Sequence, residues 1–335
     1  MIPAIFGLSG LALTDDERAF FRDSDPAGYI LFGRNIENRG QLRRLTDSLR
    51  DLSGRDYLPI LIDQEGGRVA RMKAPEWPDF PSGAAFDALY ERAPASAIEA
   101  ARLNAMALAS MLSEVGITVD CLPLLDVRQP GASDVIGDRA LGSEPMRVAA
   151  LGRAILSGLQ DGGVVGVVKH IPGHGRALLD SHKELPVVTA SDHDLQTDLA
   201  PFAALRDAAM AMTCHVVFTA WDPDRPATLS PLVIDGVIRQ RIGFHGLLLS
   251  DDLDMEALSG DVPSRAAAAI GAGCDIALNC WARMDDMIGI ANRLDPIGTV
   301  SRARLEGAMD RIAGTHDDRQ FAMLVDQRDA LLALA

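Results

Sequence analysis

The stretch RVAALGRAILSGLQDGGVVGVVKHIPG, residues 147–173, sets out one unit of the chain's plan. Its first part carries apolar residues at helical spacing and ends in Gly162 and Gly163, the residue type that helix C-termini prefer. A short apolar, β-rich run follows and stops at a charged pair, Lys169 and His170. This order is expected where parallel strands alternate with helices.

The pattern recurs in both directions. Eight such runs can be counted: PAIFGLSG (3–10), GYILFGRN (28–35), LPILIDQE (58–65), ITVDCLPLLDV (117–127), GVVGVVKHIPG (163–173), AMAMTCHVVF (209–218), GLLLSDDLDM (246–255) and CDIALNC (274–280). Helical spacing lies between them, as in NRGQLRRLTDSLRDLS (38–53), AIEAARLNAMALASMLSEVG (97–116) and DLQTDLAPFAALRDA (194–208). Eight strands alternating with helices close most simply as a (β/α)8 barrel, although an open doubly wound sheet shares the local pattern. The expected class is therefore α/β, a single TIM-type barrel domain over residues 1–335. Residues 300–335 are expected as peripheral C-terminal helices, and no linker marks a second domain.

Composition narrows the partners. A formal net charge of −15 repels nucleic acid and anionic membranes, so neither is expected as the main partner. The opening MIPAIFGLSGLALTDDER lacks a basic leader and a small-x-small cleavage site, and its apolar run is too short to span a bilayer. A cytoplasmic protein, monomeric or weakly self-associating, is expected. Cys121, Cys214, Cys274 and Cys280 sit in apolar runs without a CxxC pair and read as buried, reduced thiols.

The functional signal lies at the ends of the strands. Asp63 and Glu65 follow ILI, Asp126 follows PLL, Lys169 and His170 follow VGVV, His215 follows MTC, and Asp251 and Asp252 follow LLLS. In a barrel these groups from five strands would converge on the C-terminal mouth, where such enzymes place their chemistry. Three readings of them are open. His170 and His174 are four apart, with His182 beyond, but Pro172, Gly173 and Gly175 prevent the helix on which an i, i+4 metal pair depends, so no metal is expected. Lys169 stands where a barrel aldolase would carry its Schiff-base lysine, yet neighbouring carboxylates would keep it an ammonium. The third reading is glycosyl transfer, with Asp251 fixed on a strand end as the carboxylate that meets an oxocarbenium-like centre. Asp180 and His182 in DSH, one residue apart, then supply an imidazole oriented by a carboxylate, on a loop able to fold over the mouth. Arg71 and Arg139 are candidates for gripping polar substrate groups. No dinucleotide or P-loop pattern is present, so no nucleotide cofactor is expected.

At these residues the sequence resembles the family 3 glycoside hydrolases, in particular the single-domain bacterial β-N-acetylhexosaminidases of peptidoglycan recycling. The resemblance rests on LFGRN, LIDQEGGRVARM, PLLDV with IGDRALGSEP, KHIPGHGRALLDSH, MTCHVVF, LLLSDDLDM and AGCDIALNC, which run from about residue 30 to residue 280. It implies a retaining exo-hydrolase of terminal β-1,4-linked N-acetylglucosamine on (anhydro)muropeptides in the cytoplasm, with no cofactor. Asp251 would be the nucleophile and His182 the general acid/base oriented by Asp180. Asp63, Arg71, Arg139, Lys169 and His170 would bind the sugar. Ile171 stands where the family usually has Phe, and Lys183–Glu184 replace an apolar-acidic pair. A β-glucosidase of the same family, a barrel aldolase using Lys169, a sugar-binding protein without catalysis and a substrate-assisted mechanism with Asp252 are the alternatives.

Overall fold

The structure is a computed structural model and describes residues 1–181, 183–312 and 318–335. Eight parallel strands close into a barrel: β1 (Ile2–Gly7), β2 (Pro26–Leu31), β3 (Ile60–Ile62), β4 (Val119–Asp120), β5 (Val165–Ile171), β7 (Met210–Thr213), β9 (Leu247–Asp252) and β10 (Ile276–Asn279). β6 (Val187–Val188) and β8 (Val217–Phe218), in the segments that follow β5 and β7, form a separate two-stranded ribbon. The barrel expectation holds, and an open sheet is ruled out because each of the eight strands pairs with two neighbours and none is left as an edge.

Helices cover the outside: α1 (Asp15–Ser24), α2 (Arg39–Ser53), α3 (Gly83–Arg92), α4 (Pro94–Glu114), α5 (Pro145–Asp161), α6 (Gln196–Ala204), the segment Leu232–Arg241, α7 (Val262–Ala272) and α8 (Met284–Arg293). Their ends are set locally. Thr14 accepts the Glu17 N–H at 3.1 Å while the Glu17 carboxylate takes the Thr14 N–H at 2.9 Å, a capping box that starts α1. In the opening stretch α5 ends at Asp161, Gly163 takes the left-handed φ of 84°, and β5 begins two residues later.

Two apolar layers result. Outward-facing strand residues such as Leu31, Ile62, Val168 and Leu248 pack against the helices. Inward-facing residues, among them Ile5, Ile30, Leu61, Val165, Val167, Leu247, Leu249, Ile276 and Leu278, fill the barrel. The last part of the chain departs from expectation. α9 (Thr299–Met309) is not peripheral: Leu305, Ala308 and Met309 belong to the interior layer, so α9 closes the barrel's N-terminal end. Asp275 fastens it there, accepting from Ser301 Oγ at 2.6 Å and Arg304 Nη1 at 2.8 Å. α10 (Asp318–Leu332) lies outside against α4, where Arg328 donates to Asn104 Oδ1 at 3.1 Å. Among the described residues, no helix is long and apolar enough to cross a membrane.

Candidate active site

Successive side chains of a strand point to opposite faces, so each barrel strand sends every second residue inward. Leu61 on β3 is followed two residues later by Asp63, Val167 on β5 by Lys169, and Leu249 on β9 by Asp251. The inward rows thus change from apolar to charged at one level. Above that level opens a cavity of about 630 Å³, lined by Asp63, Lys169, Asp251 and Asp252 together with Arg71, Arg139 and His170. Asp180 and Ser181 from the β5–α6 loop border the same space. Asp63, Arg71, Arg139, Lys169, His170, Asp180 and Asp251 are therefore at the mouth as expected, whereas Asp126 and His215, also expected there, are fully buried and do not line it. His182 lies outside the described residues.

Lys169 organises one side. Its Nζ is 3.0 Å from Asp63 Oδ1 and 2.7 Å from Glu65 Oε1, and its side chain is 3% exposed. Burial would lower the ammonium's pKa, but Asp63 and Glu65 more than reverse this and raise it above the usual lysine range. Burial pushes the two carboxyls up in turn, yet Lys169 with Arg71 holds Asp63 well below the carboxylate range, and Lys169 with Arg139 lowers Glu65. Arg71 Nη2 reaches Asp63 Oδ2 at 3.1 Å. Arg139 is more committed than expected: its Nε and Nη2 both donate to Glu65 at 2.8 Å, and Nη1 donates to the Val135 carbonyl. Its fork grips Glu65, so it lines the cavity mainly as the brace of a carboxylate.

Asp126 holds the KHIPGH turn. Its Oδ1 accepts the backbone N–H groups of His170 (3.2 Å) and His174 (2.6 Å), and its Oδ2 lies 2.7 Å from His170 Nδ1. Burial would raise this carboxyl, but His170 and His174 bring it down to about 2. His174 is a buried support, with Nε2 3.1 Å from Ser181 Oγ. Burial, then the neighbouring His170, lowers its pKa to about 4. Among the described residues no group of three or more His, Cys, Asp or Glu is placed to hold a metal ion.

On β9, the Asp251 carboxylate accepts its neighbour's backbone N–H, from Asp252 to Oδ1 at 2.8 Å. Burial and then Asp254 push the Asp252 carboxyl well above the usual range. Glu65 and Asp126 were legible as strand-end carboxylates, but their task of holding Lys169, Arg139, His170 and His174 was not. Asp254 and Asn279, joined at 2.7 Å, gave no signal beyond position.

A closed parallel barrel whose mouth gathers carboxylates and cations around one polar cavity is the architecture on which barrel enzymes, glycoside hydrolases among them, build their sites. The chain belongs to glycosyl hydrolase family 3: residues 6–314 match that family's N terminal domain. It is similar to the β-hexosaminidase of Aromatoleum aromaticum, with 39% identity over 315 residues, 92% of this chain and 87% of that protein. The β-hexosaminidase of Thioalkalivibrio sulfidiphilus is 38% identical over 91% of this chain and 89% of its own. Among solved structures, NagZ from Neisseria gonorrhoeae in complex with N-trifluoroacetyl-D-glucosamine superposes with a TM-score of 0.87 at 31% identity, covering 99% of this chain and 97% of that one.

Proposed function

We propose that the chain is a retaining exo-β-N-acetylglucosaminidase that removes terminal β-1,4-linked N-acetylglucosamine from muropeptides or anhydro-muropeptides. The observation that carries the reading is the placement of Asp251. It is the first charged residue of an inward row on a rigid strand, and it shares one cavity with the loop that bears Asp180. The relatives named β-hexosaminidase and the amino-sugar ligand of the Neisseria protein support an N-acetylhexosamine as the group bound.

In the first step the Asp251 carboxylate attacks the anomeric carbon, and the glycosidic C–O bond breaks as the His182 imidazolium protonates the leaving oxygen. In the second, the neutral His182 takes a proton from water, whose oxygen displaces Asp251 and restores the carboxylate. Asp180 orients His182 throughout. Asp63 is ion-paired with both Lys169 and Arg71, so together they offer a neutral sugar strong charge-assisted donors and acceptors. His170, braced by Asp126, adds a further contact. The protonated Lys169 disfavours the aldolase reading, which needs a free amine.

Incubation with a 2-deoxy-2-fluoro glucoside or a 5-fluoro N-acetylglucosaminide, followed by peptide mapping, should place the label on Asp251. Asp251→Ala should lose turnover by at least about 10⁴-fold, and a turnover-competent variant would reject the covalent mechanism. Release of a chromophore from the β-glucoside as fast as from the N-acetyl-β-glucosaminide would favour the β-glucosidase alternative.

A further inference from the structure

His215 is fully buried, lies outside the set that holds the sugar, and still makes two short hydrogen bonds. Its Nε2 is 2.8 Å from the Asp252 carbonyl oxygen. A carbonyl only accepts, so Nε2 must carry the proton and donate. On the other side of the ring, Nδ1 is 2.8 Å from Thr228 Oγ1. Thr228 Oγ1 is 2.7 Å from Thr213 Oγ1, which accepts the backbone N–H of Asp251 at 3.2 Å. Thr213 and Thr228 are also fully buried. Burial lowers the pKa of His215 and favours the neutral ring, whose bare Nδ1 at 2.8 Å takes the Thr228 hydroxyl proton in preference to the Cys214 carbonyl oxygen, 3.0 Å from the same hydroxyl, while Thr228 accepts the proton of Thr213. The bonds then run in one direction, from the Asp251 N–H through two hydroxyls and the imidazole to the Asp252 carbonyl. Asp251 is gripped by its own N–H on one side and through the carbonyl of the next residue on the other.

We propose that His215, Thr228 and Thr213 form a hydrogen-bonded clamp on the Asp251–Asp252 backbone and act as positioning residues for the nucleophile. This rests on the reading of Asp251 as nucleophile. The clamp fixes the strand end from which the carboxylate projects, so that attack does not wait on a backbone search. None of the three residues needs to touch substrate. A displacement of the nucleophile by about 1 Å costs on the order of 100-fold in rate, so loss of one bond in the chain should slow formation of the glycosyl-enzyme while leaving sugar binding nearly unchanged.

The test compares Thr213→Val and Thr228→Val with Thr213→Ser and Thr228→Ser. Valine keeps the shape and removes the hydroxyl, whereas serine keeps the hydroxyl. The readout is the rate of Asp251 labelling by a fluorinated N-acetylglucosaminide, beside the Kd for N-acetylglucosamine. The valine variants should label about 10- to 100-fold more slowly with Kd within about threefold of the parent, and the serine variants should recover most of the rate. Equal rates for the valine and serine variants, or a rate loss matched by an equal loss of sugar affinity, would overturn the clamp. Nitrogen NMR of the unmodified protein at neutral pH supplies a second reading that does not depend on the threonine variants. The resonances that His215→Asn removes should show Nε2 protonated, and a bare Nε2 would overturn the proposal. If the parent protein does not label at Asp251 at all, the nucleophile assignment itself fails. Labelling of the parent with unaffected valine variants rejects the clamp alone.

Discussion

At the scale of single residues, the mouth is an exercise in setting protonation states by neighbours. Lys169 is buried and would shed its proton, yet two carboxylates within 3.0 Å keep it an ammonium. His174 is the opposite case, a buried imidazole for which desolvation and the neighbouring His170 outweigh the pull of Asp126 and Asp251, and its pKa falls from 6.5 to about 4. The folded state therefore prefers its neutral form, so the stability this histidine contributes is fully present above about pH 6.5 and drains away as the pH falls toward 4. The shift corresponds to about 2 to 3 kcal/mol between pH 7 and 4.5. His215, whose pKa is also lowered, works in the same direction. Urea unfolding at pH 7 and pH 4.5 should show the wild type losing about that much more stability than His174→Asn over the same interval. Parallel losses in the two proteins would mean that His174 titrates normally. His174 also touches Ser181, next to Asp180, so acid should loosen the loop before it unfolds the barrel.

At the scale of elements, the β5–α6 loop is anchored at its root and reaches out from there. The Asp180 end is carried by a segment whose backbone pairs with the β4–α5 loop, Gln129 N–H to the Gly175 carbonyl at 3.2 Å and Ser133 N–H to the Ala177 carbonyl at 2.9 Å. Gly175 is what permits this approach, since a Cβ there would stand 2.0 Å from the Val127 carbonyl oxygen. Gly175→Ala must push the two loops apart, so it should cost about 1 to 3 kcal/mol in urea unfolding and lower kcat/KM for an N-acetylglucosaminide by at least about tenfold. An alanine variant of parental activity would show that the loop reaches the mouth without this contact. The strand ends feeding the site were legible because an apolar run followed by a charge has one meaning in a barrel: whatever follows the strand faces the mouth. The connections were not legible to the same degree. ITVDCLPLLDV reads as one long strand, but regular pairing is confined to Val119–Asp120 with a lone bridge from Leu124 to Lys169, since Pro123 has no N–H to give to a ladder. The grip of Arg139 on Glu65 depends on the path of two long aperiodic loops, and no spacing in the sequence encodes it.

At the scale of the whole molecule, the barrel has a working end and a sealed end, and the two rely on different physics. The mouth is held by ion pairs and directed hydrogen bonds, while the opposite end is stoppered by apolar side chains of α9. The sequence showed α9 only as a helix beyond the last strand. Its apolar residues have no periodicity that distinguishes a helix lying beside a barrel from one capping it, so its place was settled by tertiary packing. Leu305 is 4% exposed and Met309 3%, both within the layer that includes Ile5, Val165 and Leu247. Truncating a residue so enclosed loses its transfer free energy and leaves a cavity that the rigid strands cannot collapse, a cost of about 2 to 5 kcal/mol. Leu305→Ala should therefore lower the free energy of unfolding, read from urea denaturation, by that amount. The barrel's apolar interior separates α9 from the charged level, so kcat and KM on an N-acetylglucosaminide at 25 °C should stay within about twofold of the parent. A variant that keeps its stability would place α9 off the barrel end. One that stays folded but loses activity would show that the strands transmit strain from the stopper to the mouth, and that the two ends of the barrel are not independent.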